Sequence, residues 1–468
     1  MMSDDVCPTA DDDDVETPWG SLPVAGIEKM VVAARHAWFK GEKQNVMPLE
    51  VRDVREFFGE NASRKTEVHN VDDHMGLLHL YALDHVLARD YEVLETKAYR
   101  DDESLKPPEY AQVEIARGEN VAVMIDGARF VVNKATGEHF IIFVAEGWNA
   151  SIDIRVVALD STDVSAVWAS AMQWFVTEGP LKGEVFDANG HFLKFAEVSF
   201  GDVILCPEQK DAVILNSLGF IDSMMAFEGR GLPTSRGILL SGPPGTGKTM
   251  LTQALMNERE GATVLYITSE TIDGPGHLSR IYHLARKFTP CILIIEDIDT
   301  LGGLDRRMQA NHPLLGELLN QLSGAEPNHG VVTVATSNYV FNLDEALRDR
   351  PGRFDVIFEL GEPALEQRVA LLESNLARIG VTVDFDLARI ARVCMGFTGA
   401  WMRELVVESM LLASQEMDIS NREMTLPLEL VEKAHANILA RRGIAAEQEP
   451  KHRKPRNGLA SAPASLYN

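Results

Sequence analysis

The chain has 468 residues, of which 45% are hydrophobic, so it can build about three domains with apolar cores and is not a largely disordered protein. Its 70 acidic and 44 basic residues give a net charge of −26, which disfavours nucleic acid as a partner. No apolar stretch reaches the roughly 18 residues that span a bilayer, and the acidic start differs from a signal peptide, so the sequence predicts a soluble, cytoplasmic protein without a membrane span.

The first half of the chain is predicted to hold a tail and two structured regions. Residues 1–22 contain no Lys or Arg and predict a disordered acidic tail. Residues 23–104 show helix-like periodicity, clearest over Met75–Leu87, and predict a helical region. Short apolar runs separated by turn signals, such as Asp126–Gly127, predict an α+β domain over residues 105–198.

The second half alternates strands and helices in a way that predicts a parallel sheet. A hairpin over Val185–Phe195 is predicted to close the preceding domain. The sheet is predicted over residues 199–361, a small helical domain over 362–442 and a disordered basic tail over 443–468. The predicted strands are Gly237–Leu240, Thr263–Thr268, Cys291–Ile295 and Val331–Ala335.

The most informative segment is Gly242–Thr249, which matches the phosphate-binding loop pattern G-x-x-x-x-G-K-[ST]. An apolar run precedes it and a helical pattern follows it, as the motif requires. Its glycines would let backbone N–H groups face a phosphate, Lys248 would neutralise the β- and γ-phosphates, and Thr249 would bind Mg²⁺. The nucleotide-binding residues predicted here are Gly242, Pro243, Pro244, Gly245, Thr246, Gly247, Lys248, Thr249 and Met250.

A second nucleotide motif is the apolar run Cys291–Ile295, which ends in acidic residues. A buried parallel strand presents such carboxylates at the C-terminal edge of the sheet, beside the phosphates. One carboxylate is needed to hold Mg²⁺ and another to polarise the attacking water. Glu296 and Asp297 are the candidates, and Asp299 could substitute for either.

These two motifs resemble the AAA family of ring ATPases, and the resemblance extends over about residues 200–442. Phe200–Ile204 is similar to the family's opening segment, which implies that Asp202 and Val203 line the adenine pocket. Asn338 lies where the family places its first sensor, which implies that it orients the attacking water near the γ-phosphate.

Two later segments also resemble the family. The run Arg-Pro-Gly-Arg-Phe-Asp is similar to its most specific signature, which implies that Arg350 and Arg353 are arginine fingers reaching the nucleotide of the neighbouring subunit. A Gly-Phe-Thr-Gly-Ala segment resembles the start of the family's lid helix, which implies that Gly399 and Ala400 pack against the nucleotide.

The resemblance implies a fold, cofactors and partners. The implied fold is α/β, a P-loop parallel-sheet AAA core with a small all-α lid. The N-terminal helical region and the α+β domain that the sequence pattern predicts precede it. The implied cofactors are ATP and Mg²⁺. The implied partner is the chain itself in a ring, as a hexamer or heptamer.

The chain departs from the family pattern at three places, and one of them, Trp401 where an acid often follows Gly-Ala, is assigned no role beyond packing. Most members end the second motif in Asp-Glu, whereas this chain has Glu296-Asp297. By position Glu296 is the acid on the metal side and Asp297 the catalytic base, and the shorter aspartate predicts slow turnover. The same order occurs in the subfamily of the mitochondrial complex III assembly ATPase, which the chain resembles without its N-terminal membrane helix. The loop Ser269–Leu278 has no Phe, Tyr or Trp, which disfavours threading of a polypeptide gripped by such side chains.

The sequence leaves three functions open. The preferred one is a ring-shaped protein remodeller or assembly chaperone whose residues 23–198 bind a protein client. A nucleic-acid-associated ATPase would use the basic cluster Lys451–Arg456. A nucleotide-gated scaffold would bind ATP but barely cleave it, because of the order Glu296-Asp297.

Overall fold

The structure is a computed structural model. It describes residues 14–17, 20–23, 49–71, 73–100, 104–147, 151–272, 274, 276–300, 313–323, 327–338, 354–417 and 424–448. Strands β1 (Asp14–Thr17) and β2 (Gly20–Pro23) pair antiparallel. A short hairpin therefore lies where the sequence predicted a disordered tail.

The first domain is an antiparallel sheet with helices packed against it. Its elements are α1 (Leu49–Phe58), β3 (Arg64–Val71), α2 (Asp73–Asp90), β4 (Tyr91–Tyr99), β5 (Leu105–Lys106), β6 (Glu109–Ala116), β7 (Glu119–Asn133), β8 (His139–Glu146), β9 (Ile152–Leu159) and α3 (Ala166–Thr177). The strand order is β3-β9-β8-β7-β4-β5, and β6 pairs with β7.

The prediction of a helical region over residues 23–104 was wrong. This region does contain α1 and α2, but β3 and β4 join the same sheet as the strands that follow residue 105. Both strands leave most of their side chains partly or fully exposed, so neither shows the regular alternation of apolar and polar residues by which a half-buried strand is recognised. One α+β domain replaces the two predicted regions.

The turn predicted at Asp126–Gly127 is also absent, because both residues lie within the 15-residue strand β7. Gly127 has a φ of +153°, and a Cβ there would lie 2.9 Å from the Sδ atom of Met124. A residue without a side chain thus lets the strand bend where its partners change from β6 to β4 and β8.

The second domain is a six-stranded parallel sheet with helices on both faces. Its elements are β10 (Val185–Phe186), α4 (Pro207–Asn216), α5 (Leu218–Glu228), β11 (Arg236–Ser241), α6 (Lys248–Asn257), β12 (Thr263–Thr268), α7 (His277–Lys287), β13 (Cys291–Glu296), α8 (Pro313–Ser323), β14 (Val331–Ser337) and β15 (Val356–Glu359). The order is β10-β12-β13-β14-β11-β15. The parallel sheet and its four predicted strands are confirmed.

The strand β10 corrects the predicted boundary between the two domains. Val185 pairs in parallel with Val264 of β12, so β10 belongs to the second sheet and does not close the first domain. An antiparallel bridge joins Phe186 and Phe192, so the chain does reverse its direction here, as the predicted hairpin requires. A two-residue strand is too short to be recognised from its own periodicity.

The alternation of side chains between the two faces of β13 decides to which face of the sheet Glu296 points. Ile292 and Ile294 belong to the apolar cluster that includes Leu251 and Leu255 of α6, whereas Leu293 and Ile295 belong to the cluster on the other face. Glu296 continues the first set, because successive side chains of a strand point to opposite faces. Its carboxylate is therefore directed to the side of the sheet that holds α6.

The two domains share one apolar core. Residues of α2 and α3 and residues on one face of the second sheet form a single buried cluster. Phe175 of α3 meets Phe288, directly after α7, with ring centroids 5.5 Å apart in an edge-to-face arrangement. The first domain therefore packs directly on the second.

The third domain is a small helical unit with its own core. Its elements are α9 (Leu365–Arg378), β16 (Thr382–Val383), α10 (Leu387–Val393), α11 (Gly399–Glu416), β17 (Thr425–Leu426) and α12 (Leu428–Gln448). The predicted helical lid is confirmed, and α12 runs past its predicted end at residue 442. Among the helices of the described residues, none is both long and apolar enough to cross a bilayer.

Candidate active site

The phosphate loop joins β11 to α6, as the sequence predicted. Gly242, Gly245 and Gly247 have φ values of +153°, +80° and +99°, a range in which residues with a side chain are strained. A Cβ on Gly242 would overlap the carbonyl oxygen of Leu360. The Gly242 N–H donates to the carbonyl of Ser337 at 3.2 Å, which ties the loop to β14.

The ammonium group of Lys248 lies inside this loop. Its Nζ donates to the carbonyl oxygens of Gly242 and Pro243 at 2.7 and 3.0 Å. Burial lowers the pKa of Lys248, and the nearby carboxylates, Asp297 first among them, oppose that shift. A cation is thus held where backbone N–H groups and a helix N-terminus converge, which is a suitable site for phosphate.

The first turn of α11 touches the phosphate loop. The Ala400 N–H donates to the Gly245 carbonyl at 3.2 Å. A Cβ on Gly245 would lie 2.6 Å from the Ala400 Cβ and 2.9 Å from the Thr398 Oγ1, and one on Gly399 would lie 3.2 Å from the Gly245 oxygen. The structure therefore brings Gly399 and Ala400 to the loop, and their contact with a nucleotide stays a prediction.

Glu296 is the first acid after the apolar core of β13, and it is 9% exposed. The Thr252 hydroxyl on α6 donates to its Oε1 at 2.8 Å, and the Tyr266 hydroxyl on β12 faces the same carboxylate as a donor. Burial raises the pKa of Glu296, and these two hydroxyl groups oppose the shift. The acid is thereby held against the helix that begins at the phosphate loop.

Asp297 and Asn338 lie in contact. The Asn338 Nδ2 donates to the Asp297 Oδ1 at 3.1 Å. Asp297 has a φ of +53°, a left-handed conformation that costs about 1 kcal/mol or more for a residue with a side chain. Its N–H donates to the Thr336 Oγ1 at 2.9 Å. Thr336 of β14 thus holds the backbone of Asp297, and Asn338, directly after that strand, holds its carboxylate.

Comparison with known proteins assigns this arrangement to a family. Residues 238–362 match the profile of the ATPase family associated with various cellular activities (AAA). The proteasome-activating nucleotidase of Aeropyrum pernix is 32% identical over 309 residues, which are 62% of this chain and 71% of that protein. The chain belongs to the AAA family. Residues 238–362 are therefore an ATP-binding ATPase domain with an α/β fold.

Two other relatives of this AAA ATPase are longer proteins. A YME1 homolog of Schistosoma mansoni, an ATP-dependent zinc metalloprotease, is 31% identical over 49% of this chain and 36% of its own length. The FtsH zinc metalloprotease of Cupriavidus metallidurans is 34% identical over 47% of this chain and 35% of its own length. The chain thus spans about a third of each, and its sequence contains no H-E-x-x-H zinc-binding pattern.

The residues of the AAA site fit ATP and a divalent cation. The loop offers backbone N–H groups and the ammonium of Lys248, and Thr249, the second residue of α6, is exposed. Glu296, Asp297 and Asp299 all act electrostatically on that single ammonium. Three carboxylates around one lysine leave an excess of negative charge, and oxygen donors of this kind are the ligands of Mg²⁺.

Several predicted site residues are not part of this cluster. The Asp202 carboxylate accepts hydrogen bonds from the N–H and hydroxyl of Ser199 at 2.8 and 2.7 Å, and these bonds lower the pKa of Asp202. Val203 is buried in the core. Adenine contacts by Asp202 and Val203 stay predictions. Arg350 and Arg353 lie outside the described residues, so their role as fingers also stays a prediction.

Sequence reasoning missed three hydroxyl residues of the site. Thr252 and Tyr266 face Glu296, and Thr336 holds the backbone of Asp297. A polar residue within an otherwise apolar strand or helix face was the available signal. Which acid such a residue faces depends on strand register and on the position of α6, which the sequence does not specify.

Replacing Gly245 by Ala is expected to push the lid away from the phosphate loop. The new methyl group would overlap Ala400 and Thr398, so we expect ATP affinity to fall about tenfold and stability to fall by about 1–2 kcal/mol. Gly231→Ala is the matched control, because Gly231 has a similar φ of +68° but nothing within 4 Å of a Cβ. Calorimetric titration with ATP measures the difference; equal affinities in the two variants would contradict the steric argument.

Proposed function

We propose that this protein is a Mg²⁺-dependent ATP hydrolase that works as a homo-oligomeric ring and remodels or assembles other proteins. The contact between Asn338 and Asp297 carries the hydrolytic part of the proposal. It supplies a carboxylate and an amide at the edge of the sheet where the phosphate loop also lies. A base and a water-orienting group are thereby available next to Lys248.

The chemistry follows from the roles these groups can take. Thr249 and Glu296 would hold Mg²⁺, which when bound neutralises charge on the β- and γ-phosphates. Asp297 would accept a hydrogen bond from the attacking water, and Asn338 would keep this carboxylate in place. The water oxygen bonds to the γ-phosphorus, the bond to the β,γ-bridging oxygen breaks, and Asp297 accepts the proton. Lys248 balances the charge of the departing ADP.

The order Glu296-Asp297 supports a more specific proposal. The same order occurs in the subfamily of the mitochondrial complex III assembly ATPase, and we propose that this chain is related to it. Aspartate is one methylene shorter than glutamate, so the base reaches less far and slow turnover is expected. A nucleotide-gated scaffold would be the limiting case, and the turnover number of the assembled ring distinguishes it from a working hydrolase.

The α+β domain is the proposed client-binding unit. It packs on the ATPase domain through Phe175 and Phe288, a contact through which nucleotide-driven movement would reach a client. The names of the relatives, ATP-dependent protease and proteasome-activating nucleotidase, support a protein client. The net charge of −26 argues against nucleic acid. A hexamer or heptamer in the cytoplasm is the assembly we propose.

Asp297→Asn is expected to retain ATP binding and to lower turnover about a hundredfold or more, because an amide cannot accept the proton. The measurements are steady-state phosphate release and equilibrium ATP binding. Asp211→Asn, at an exposed position of α4, is the control and should behave as wild type. Undiminished phosphate release by Asp297→Asn would exclude this residue as the base.

The same variant provides a test of the client. A ring that binds ATP without cleaving it is expected to retain a bound protein longer than the wild type does, and affinity capture followed by mass spectrometry would identify it. Hydrolysis that is stimulated by DNA, and is no longer stimulated after deletion of residues 451–468, would instead support the nucleic-acid alternative.

A further inference from the structure

Three acids lie at or just after the end of β13, namely Glu296, Asp297 and Asp299, and the hydrolytic roles require only two of them. Asp299 is 4% exposed. Its Oδ1 accepts the backbone N–H of Asn338 at 3.0 Å. A carboxylate that is buried and bound to a backbone N–H is poorly placed to accept a proton from water, so Asp299 has a different task from Asp297.

Asn338 is held at both ends. Its backbone N–H is bound by Asp299, and its side-chain amide donates to the Asp297 Oδ1 at 3.1 Å. Asn338 directly follows β14, which ends at Ser337, so the strand ladder does not fix its backbone. The bond from Asp299 replaces that missing restraint.

The orientation of the Asp297 carboxylate depends on this restraint of Asn338. Its φ of +53° is one that residues with a side chain adopt rarely. Three hydrogen bonds to its backbone support it: its N–H donates to the Thr336 Oγ1 at 2.9 Å, and its carbonyl accepts the N–H and the hydroxyl of Thr300, each at 2.8 Å. None of these contacts touches the carboxylate, whose direction is set by the amide of Asn338.

We propose that Asp299 is a positioning residue, which fixes the backbone of Asn338 so that the Asn338 amide holds the Asp297 carboxylate in its hydrolytic orientation. The proposal rests on the proposed function, because it assigns Asp297 as the base. Asp299 takes no part in bond making; it acts through Asn338. Turnover should then depend on Asp299 only while Asn338 is present.

A double-mutant cycle tests this dependence. Asp299→Ala is expected to lower kcat about tenfold while the dissociation constant for ATP changes less than about twofold, because the phosphate loop is untouched. Asp299→Asn keeps an oxygen acceptor for the N–H and should recover most of that turnover. In an Asn338→Ala background, Asp299→Ala should cost less than about a further twofold.

A second measurement does not depend on turnover. Hydrogen–deuterium exchange at the Asn338 backbone amide should accelerate in Asp299→Ala and remain slow in Asp299→Asn. Asp386→Ala is the matched control, because the Asp386 Oδ1 also accepts a backbone N–H, that of Ala388, at 2.9 Å in the lid. This control should change neither kcat nor exchange at Asn338.

Three results would overturn the proposal. If the fold-losses of kcat in the two single variants multiplied in the double variant, Asp299 would act independently of Asn338. An Asp299→Asn variant as slow as Asp299→Ala would show that the charge matters and not the acceptor. Unchanged exchange at Asn338 in Asp299→Ala would show that the bond does not hold this backbone. A wild-type ring without Mg²⁺-dependent hydrolysis would instead refute the proposed function itself, and this proposal with it.

Discussion

Lys248→Ala is expected to abolish nucleotide binding at millimolar ATP. The side chain supplies the cation inside the phosphate loop, where its Nζ donates to the carbonyls of Gly242 and Pro243. Its loss removes charge-assisted hydrogen bonds to the phosphates, each worth about 1.5–3 kcal/mol. Two such bonds correspond to at least a roughly hundredfold loss of affinity. The excess of carboxylates would then repel the nucleotide.

The measurement is the rise of the melting temperature with ATP, together with equilibrium binding of a fluorescent ATP analogue. Lys182→Ala is the matched control. The Lys182 Nζ donates to a carbonyl, that of Thr289, at 2.7 Å, and burial lowers the pKa of Lys182 as it lowers that of Lys248. Thr289 lies just before β13, at the sheet edge opposite the phosphate loop. Equal ATP stabilisation of Lys248→Ala and Lys182→Ala would refute the assignment of the loop.

Arg353→Ala is expected to leave ATP binding unchanged within about twofold and to lower turnover about a thousandfold. A guanidinium from a neighbouring subunit stabilises charge that develops on the γ-phosphoryl group in the transition state, so its loss affects kcat and not binding. Arg389→Ala is the control, because Arg389 forms an exposed ion pair with Glu432 at 2.8 Å, and such pairs contribute little.

Mixing two inactive variants tests whether this arginine acts between subunits. An Arg353→Ala subunit keeps Asp297, and an Asp297→Asn subunit keeps Arg353, so a mixed ring contains sites with both groups. In an equal random mixture about a quarter of the sites should be competent if the finger acts in trans. Mixed rings that form, as shown by differently tagged subunits, and yet recover no turnover would rule out a finger supplied in trans.

The predictions that held share one physical basis. The phosphate loop, the apolar run before Glu296 and the lid segment before Gly399 were recognised because each needs particular residues at fixed spacing within one stretch of chain. The parallel sheet was recognised because its strands are buried on both faces and therefore read as continuous apolar runs. In these cases the residues that identify the element all lie within one short stretch of sequence.

The predictions that did not hold depend on partners distant in the chain. β3 and β4 were not recognised, because the largely exposed side chains of these strands show only weak alternation between apolar and polar residues. β10 was not recognised, because a strand of two residues is too short to show any alternation. The pair Asp126–Gly127 was interpreted as a turn. In the structure Gly127 lies inside β7, where its lack of a side chain lets the strand bend as its partner strands change.

The sequence by itself determined the phosphate-loop pattern of Gly242–Thr249 and the acids that end the apolar run of β13, and from these it predicted nucleoside triphosphate binding. Glycine spacing, a lysine and a strand ending in carboxylates are chemical requirements of that site, and they lie within short segments. Only the tertiary structure decided which group each of the three acids contacts. Thr252 reaches Glu296, Asn338 reaches Asp297 and Asp299 reaches the Asn338 backbone, and each of these contacts joins separate elements whose proximity depends on strand order and register.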